Sequence, residues 1–183
     1  VYKDEGPEVN FVEPNKRVLE VTEEAKIDLV IRATDDHRIA SFLLRHGPEK
    51  APADKVVTLP LQAMPDQAEA DRTGRYSELA KHRFDLAQLR PAPKAGDNIE
   101  LWAEVTDVLF EHRKSQLGEG RTVGDVLAGE DEADRPLAES FRKHQARTDR
   151  LRIIVISREE LLRKIKEDIV RLREQIKVTR NEQ

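Results

Sequence analysis

Apolar and polar residues alternate along much of this chain, and near the C-terminus the period lengthens. In "KIDLVIRATDD", Ile27, Leu29, Ile31 and Ala33 alternate with Lys26, Asp28 and Arg32, which is the two-residue period of a strand with one buried face. "RIASFLLRHG" repeats it, with Ile39, Ser41, Leu43 and Arg45 on one side and Ala40, Phe42 and Leu44 on the other. "VVTLPL" predicts a third strand, placed at a sheet edge by Pro60, which has no N–H for a ladder. "HRFDLAQL" and "IELWAEVTD" predict two more. In the second, Ile99, Leu101, Ala103 and Val105 point inward and Trp102 stands out of pattern on the outer side. Short runs "VNFV" and "VLEV" precede these, and residues 62 to 80 show no clean period and read as a loop. "LRIIVIS" is apolar on both faces near its end, as suits a sheet interior or a junction covered by a helix. Short strands with turn signals at this spacing predict an all-β sandwich over residues 1 to 156.

Two segments break the rhythm. Residues 108 to 149 hold "GEG", "TVGDVLAGEDEADRP" and "LAESFRKHQARTD", far more chain than a hairpin loop needs. They are expected to form a long insertion, partly helical or disordered, with Leu137, Phe141 and Gln145 marking a short helix. Residues 157 to 183 form the second segment, a predicted amphipathic helix. Ser157 and Glu160 match a capping box, and Glu159 and Glu160 suit the positive end of the helix dipole. Leu162, Ile165, Ile169, Leu172 and Ile176 recur at intervals of three and four, a heptad seam. No flexible turn separates it from "RIIVIS". The helix is therefore expected to project outward as the start of a coiled-coil stalk, and to pair with a second copy or another helix, instead of folding back on its own sandwich.

Composition narrows the classes. Charged residues make up 37% of 183 and aromatics 4%, so the core must be aliphatic and part of the chain must be a solvated element such as a lone helix. A formal charge of -4 argues against nucleic-acid binding. There is no cysteine, which removes disulfides, thiolate metal sites and cysteine nucleophiles. No window of 18 apolar residues exists, so this segment predicts no membrane contact of its own. The chain begins at Val1 with no initiator Met or apolar leader, which fits a trimmed protein and an internal fragment alike.

Chemistry is sparse. His37, His46, His82, His112 and His144 stand far apart and read as scattered surface histidines. Neither a nucleophile elbow nor a phosphate loop occurs, and "GEG" is short of a dinucleotide fingerprint. No catalytic residue is predicted. The basic run "FRKHQARTDRLR" reads as a solvated surface. One constellation bears on ligands. "ATDD" and "VTD" each end a strand, and if these are the second and sixth strands of an immunoglobulin-type sandwich their loops share one end. Asp35, Asp36 and Asp107 could then converge on calcium. The alternative is that each aspartate initiates its turn through its own side-chain hydrogen bonds.

Three stretches together, "IDLVIRATDDHRIASFLLRHG", "FDLAQLRPAPKAGDNIELWAEVTD" and "RIIVISREELLRKI", resemble the immunoglobulin-like segment of large, uncharacterised envelope proteins of planctomycete-type bacteria. There a strand "ATDD-x-x-I" precedes "GD-x-I-x-x-W/Y-A-E-x-TD", and a last strand enters "S-x-EEL" and a helical region. Relatives have a glycine in the turn after the paired aspartates, where this chain has His37 and Arg38, and a short loop where it has 108 to 149. The resemblance implies a mainly β fold, an immunoglobulin-like antiparallel β-sandwich with a long inserted loop and a C-terminal helix. It also implies an extracytoplasmic place in a larger membrane-anchored protein, and it brings no catalytic residues. The leading expectation is a non-catalytic structural or interaction module associating through Leu162, Ile165, Ile169, Leu172 and Ile176, without a cofactor. A calcium- or glycan-binding sandwich is the alternative, and an enzyme using the insertion as a lid is a third.

Overall fold

A computed structural model describes residues 5 to 66, 74 to 118, 120 to 129 and 134 to 181, with side chains described as far as residue 177. Ten strands in two sheets are present among them, so the fold is mainly β. One sheet has the order β1 (Glu8–Glu13), β3 (Lys26–Asp35), β7 (Tyr76–Asp85), β6 (Ala63–Pro65). The other runs β2 (Val18–Val21), β10 (Leu151–Val155), β8 (Asn98–Asp107), β4 (Ile39–Pro48), β5 (Val57–Pro60), with β9 (Gln145–Arg147) also on β8. Consecutive strands β3 and β4 lie in different sheets, as in immunoglobulin-like sandwiches. The pairings are antiparallel except β2 with β10, which is parallel, a point that periodicity cannot reveal.

The alternation read from the sequence builds the core. Ile27, Leu29, Ile31 and Ala33 of β3 face Phe42, Leu44, Leu101, Ala103, Val105 and Ile153 of the opposite sheet, all buried. Pro60 does end an edge strand, β5. The loop expected over 62 to 80 is corrected at both ends, where β6 and the first half of β7 fall and Tyr76–Asp85 pairs with β3 without a break; residues 67 to 73 lie outside the described residues. Their side chains are only partly buried before Ala80, so the sequence carries no strong alternation.

The outer face of the second sheet explains Trp102. It is 9% exposed because Arg150 lies over its ring, 4.8 Å from the centroid. Beside it Glu104 is clasped by Arg45 at 3.0 Å and Arg147 at 2.8 Å, and Arg150 and Arg152 bond Glu100 and Glu49. The run expected to be a solvated basic surface thus holds down a sheet face through Arg147, Arg150 and Arg152, which this chain's own acids neutralise.

The insertion is ordered where it is described. It forms α1 (Val108–Ser115), α2 (Val123–Ala128), α3 (Arg135–Lys143) and β9. Phe110, Val126, Ala138 and Phe141 make a second small core, with the two rings edge to face at 5.1 Å. The short helix predicted around Leu137 and Phe141 is α3, but Gln145 belongs to β9. The last element, α4 (Arg158–Asn181), leaves β10 after two residues.

Candidate functional sites

Two places carry the predicted site residues. The first is the end of the sandwich where β3 and β8 stop. Asp35 is fully buried, and its Oδ2 accepts the His37 backbone N–H at 3.1 Å. This closes the turn into β4 without a left-handed residue, so His37 and Arg38 serve in it and no glycine is required. Asp36 Oδ2 accepts the Glu5 N–H. Asp107 is also fully buried; its Oδ1 caps α1 through the Phe110 N–H at 2.7 Å, and its Oδ2 lies 2.7 Å from His144 Nδ1. His144 is 1% exposed and its carbonyl accepts the Asp107 N–H. A buried Asp–His pair therefore fastens the insertion to the sandwich.

The fold does gather the three aspartates at one end, but it gives each a structural task. Among the described residues no group of three or more acidic or histidine side chains is disposed to hold a metal ion. Asp35 Oδ1 and Asp36 Oδ1 alone find no hydrogen-bond partner, and two oxygens fall well short of the six to eight that calcium takes. The expected shared cation site is not assembled by these side chains. What the cluster does instead is titrate. Burial, then the charges of Asp107 and Asp36, push the Asp35 carboxyl up from its ordinary 3.8 to about 7.

His144 and His46 correct the expectation of scattered surface histidines. His46 is buried edge-on to Phe84, and burial holds its pKa below the usual value. His144 meets its carboxylate across 37 positions of sequence, a separation at which no local motif signals the pair.

The second place is α4. Ser157 Oγ accepts the Glu160 N–H at 3.1 Å, so the predicted N-cap forms, while Glu160 turns to Lys164 at 3.6 Å. Lys164 also bonds Glu20 of β2 at 2.6 Å. From Ile165 to Lys177 every side chain of the helix is exposed. Leu162, Ile165, Ile169, Leu172 and Ile176 are 50%, 44%, 44%, 57% and 66% exposed. At 1.5 Å per residue its 24 residues extend about 36 Å. No helix among the described residues is long and apolar enough to cross a membrane.

Two open clefts lie elsewhere. One is lined by Phe11, Arg17, Arg147 and Leu151, the other by His46, Lys55, Leu89 and Pro93. The first takes Arg147, Thr148 and Asp149 from the end of the insertion, but neither is lined by a residue of α1, α2 or α3, or by Asp35, Asp36 or Asp107, so the helices of the insertion close over neither of them.

No family model and no curated protein matches this chain.

Proposed function

We propose that this chain is a non-catalytic structural and interaction module of a bacterial cell-envelope protein, an immunoglobulin-like sandwich that presents a helical stalk outside the cytoplasm. The reading rests on one observation: five apolar side chains aligned along α4 are 44% to 66% exposed, on a helix that Lys164 in its second turn ties to Glu20 of the body. Aliphatic stripes of that length are costly in water. Covering the exposed half of a Leu or Ile is worth about 1 kcal/mol. Ten such side chains in a helix pair contribute about 10 kcal/mol, which is of the same order as the cost of association. Pairing is therefore weak and concentration-dependent. The envelope location is supported by the resemblance of the strand and turn motifs, which α4 continues as a stalk would.

The test is sedimentation equilibrium of the whole chain from about 10 μM to about 1 mM. A mass that climbs above 21.0 kDa, and stays at the monomer in Ile169→Asp with the sandwich's melting temperature unchanged, supports the module. A monomer throughout, or association indifferent to Ile169→Asp, overturns it.

A further inference from the structure

We infer that the occupant of the α4 stripe is a second copy of this chain, arranged as a parallel, in-register, two-stranded coiled coil. The inference rests on association through α4 and specifies its partner and geometry. With Leu162, Ile169 and Ile176 as heptad a positions, Ile165 and Leu172 are d. The flanking e positions are then Lys166 and Arg173, and the g positions are Leu161, Asp168 and Gln175.

Charge on these flanks selects the direction. In a parallel pair, g of one helix meets e of the next heptad on the other. Asp168 then faces Arg173 of the second copy, twice by symmetry, and Leu161 lies under the aliphatic stem of Lys166. An antiparallel pair stacks a against d: with Ile169 on Leu172 it sets Lys166 against Arg173 twice, and with Ile169 on Ile165 it sets Lys166 against Lys166 and Asp168 against Asp168, against which Glu159 meets Arg173. Each register carries like-charge contacts that the parallel pair lacks, so the antiparallel pair is disfavoured. The number of strands follows from the same positions. Ile169 at a with Leu172 at d has the two-stranded preference and Leu162 at a with Ile165 at d the higher-order one, so the flanks decide: higher orders would draw the charged e positions Lys166 and Arg173 further out of water.

The body leaves room for this. Its contact with α4 comes from Lys164, which bonds Glu20, and the neighbouring Glu160 and Leu161 are half-buried. Lys164 and Glu160 are c and f positions, on the side of the helix turned away from the a/d seam, and Leu161 is a g position at its flank. Leu162 and Ile165 in the same turns stay 50% and 44% exposed. Two sandwiches at the same end would therefore flank the seam and not block it.

The chain has no cysteine, so single-cysteine variants of the whole chain read the geometry directly. Leu162→Cys and Ile176→Cys lie at opposite ends of the seam, and Glu174→Cys on the outer face serves as reference. The parallel pair predicts that the two seam variants, each alone, form disulfide-linked dimers at least about tenfold faster than Glu174→Cys. Crosslinking that needs the two seam variants mixed, equal rates at all three positions, or a mass of three or four copies would overturn the inference while leaving association intact. A monomer would overturn both readings. A charge test keeps the case independent of the seam. Arg173→Glu should weaken the dimer about tenfold, and adding Asp168→Arg should restore it. An Arg173→Glu chain that associates more tightly points to the antiparallel pair and refutes the proposal.

Discussion

Replacing Asp35 by Asn should make the protein insensitive to a pH range in which the parent loses stability. In the folded chain the carboxyl is buried beside Asp107 and Asp36, with His37 and His144 as the nearby imidazoles, and it protonates at about 7 against an ordinary 3.8. Between those values the folded state holds a proton that the unfolded state has released. Stability from this group is complete below pH 3.8 and is lost as pH rises through about 7. At 1.36 kcal/mol per pH unit, the interval sets a ceiling of about 4 kcal/mol. Asn imitates the neutral form. Its carbonyl oxygen keeps the His37 N–H bond, and its amide replaces an oxygen that has no partner. The variant should match the parent within about 1 kcal/mol at pH 4.5 and exceed it by about 2 to 4 kcal/mol at pH 8. Urea unfolding followed by Trp102, the single tryptophan, measures both. The difference between the two chains isolates Asp35 from every other titrating group. A difference that stays flat from pH 4 to 8, or a parent that gains on the variant as pH rises, refutes the argument. The second result would mean that the ionised carboxylate is the stabilised form.

Two further outcomes follow from the fold. Phe141→Ala opens the small core of the insertion, which costs about 3 to 5 kcal/mol locally. Limited proteolysis should then cut within 108 to 149 while the sandwich persists, and loss of the whole fold at once would show that the two cores are one cooperative unit. Millimolar calcium should leave the melting temperature unchanged, because two spare carboxylate oxygens make a poor site. A rise reversed by chelator would establish a calcium site instead.

Much of this was legible where one rule decides the outcome. β3 and β8 each bury one face against the opposite sheet, so their inward positions follow from alternation. The seam of α4 was legible because its five apolar side chains stay exposed among the described residues. Other features were hidden because tertiary context supplies what the local sequence lacks. β9 is the polar tripeptide "QAR", and only the ladder of β8 makes it a strand. The first half of β7 is partly exposed and carries no period. Trp102 is inexplicable until Arg150 is placed over it, and the insertion divides its few apolar residues among three short helices, none with a full stripe. Asp35, Asp36 and Asp107 were brought to one end as expected, yet the use of Asp107 was decided by the histidine that follows α3 and by the cap it makes on α1.

The junction between β10 and α4 has a mechanical consequence. Only Ile156 and Ser157 connect them, and Ile156 is itself buried with its N–H bonded to the Val21 carbonyl at 2.8 Å. There is no slack to take up tension or torque. Load applied to the far tip of the rod passes straight into a strand hydrogen-bonded on both sides, to β2 and to β8. Neighbouring bonds on either flank would share that load, so α4 is rooted in the interior of a sheet and not hinged at its rim.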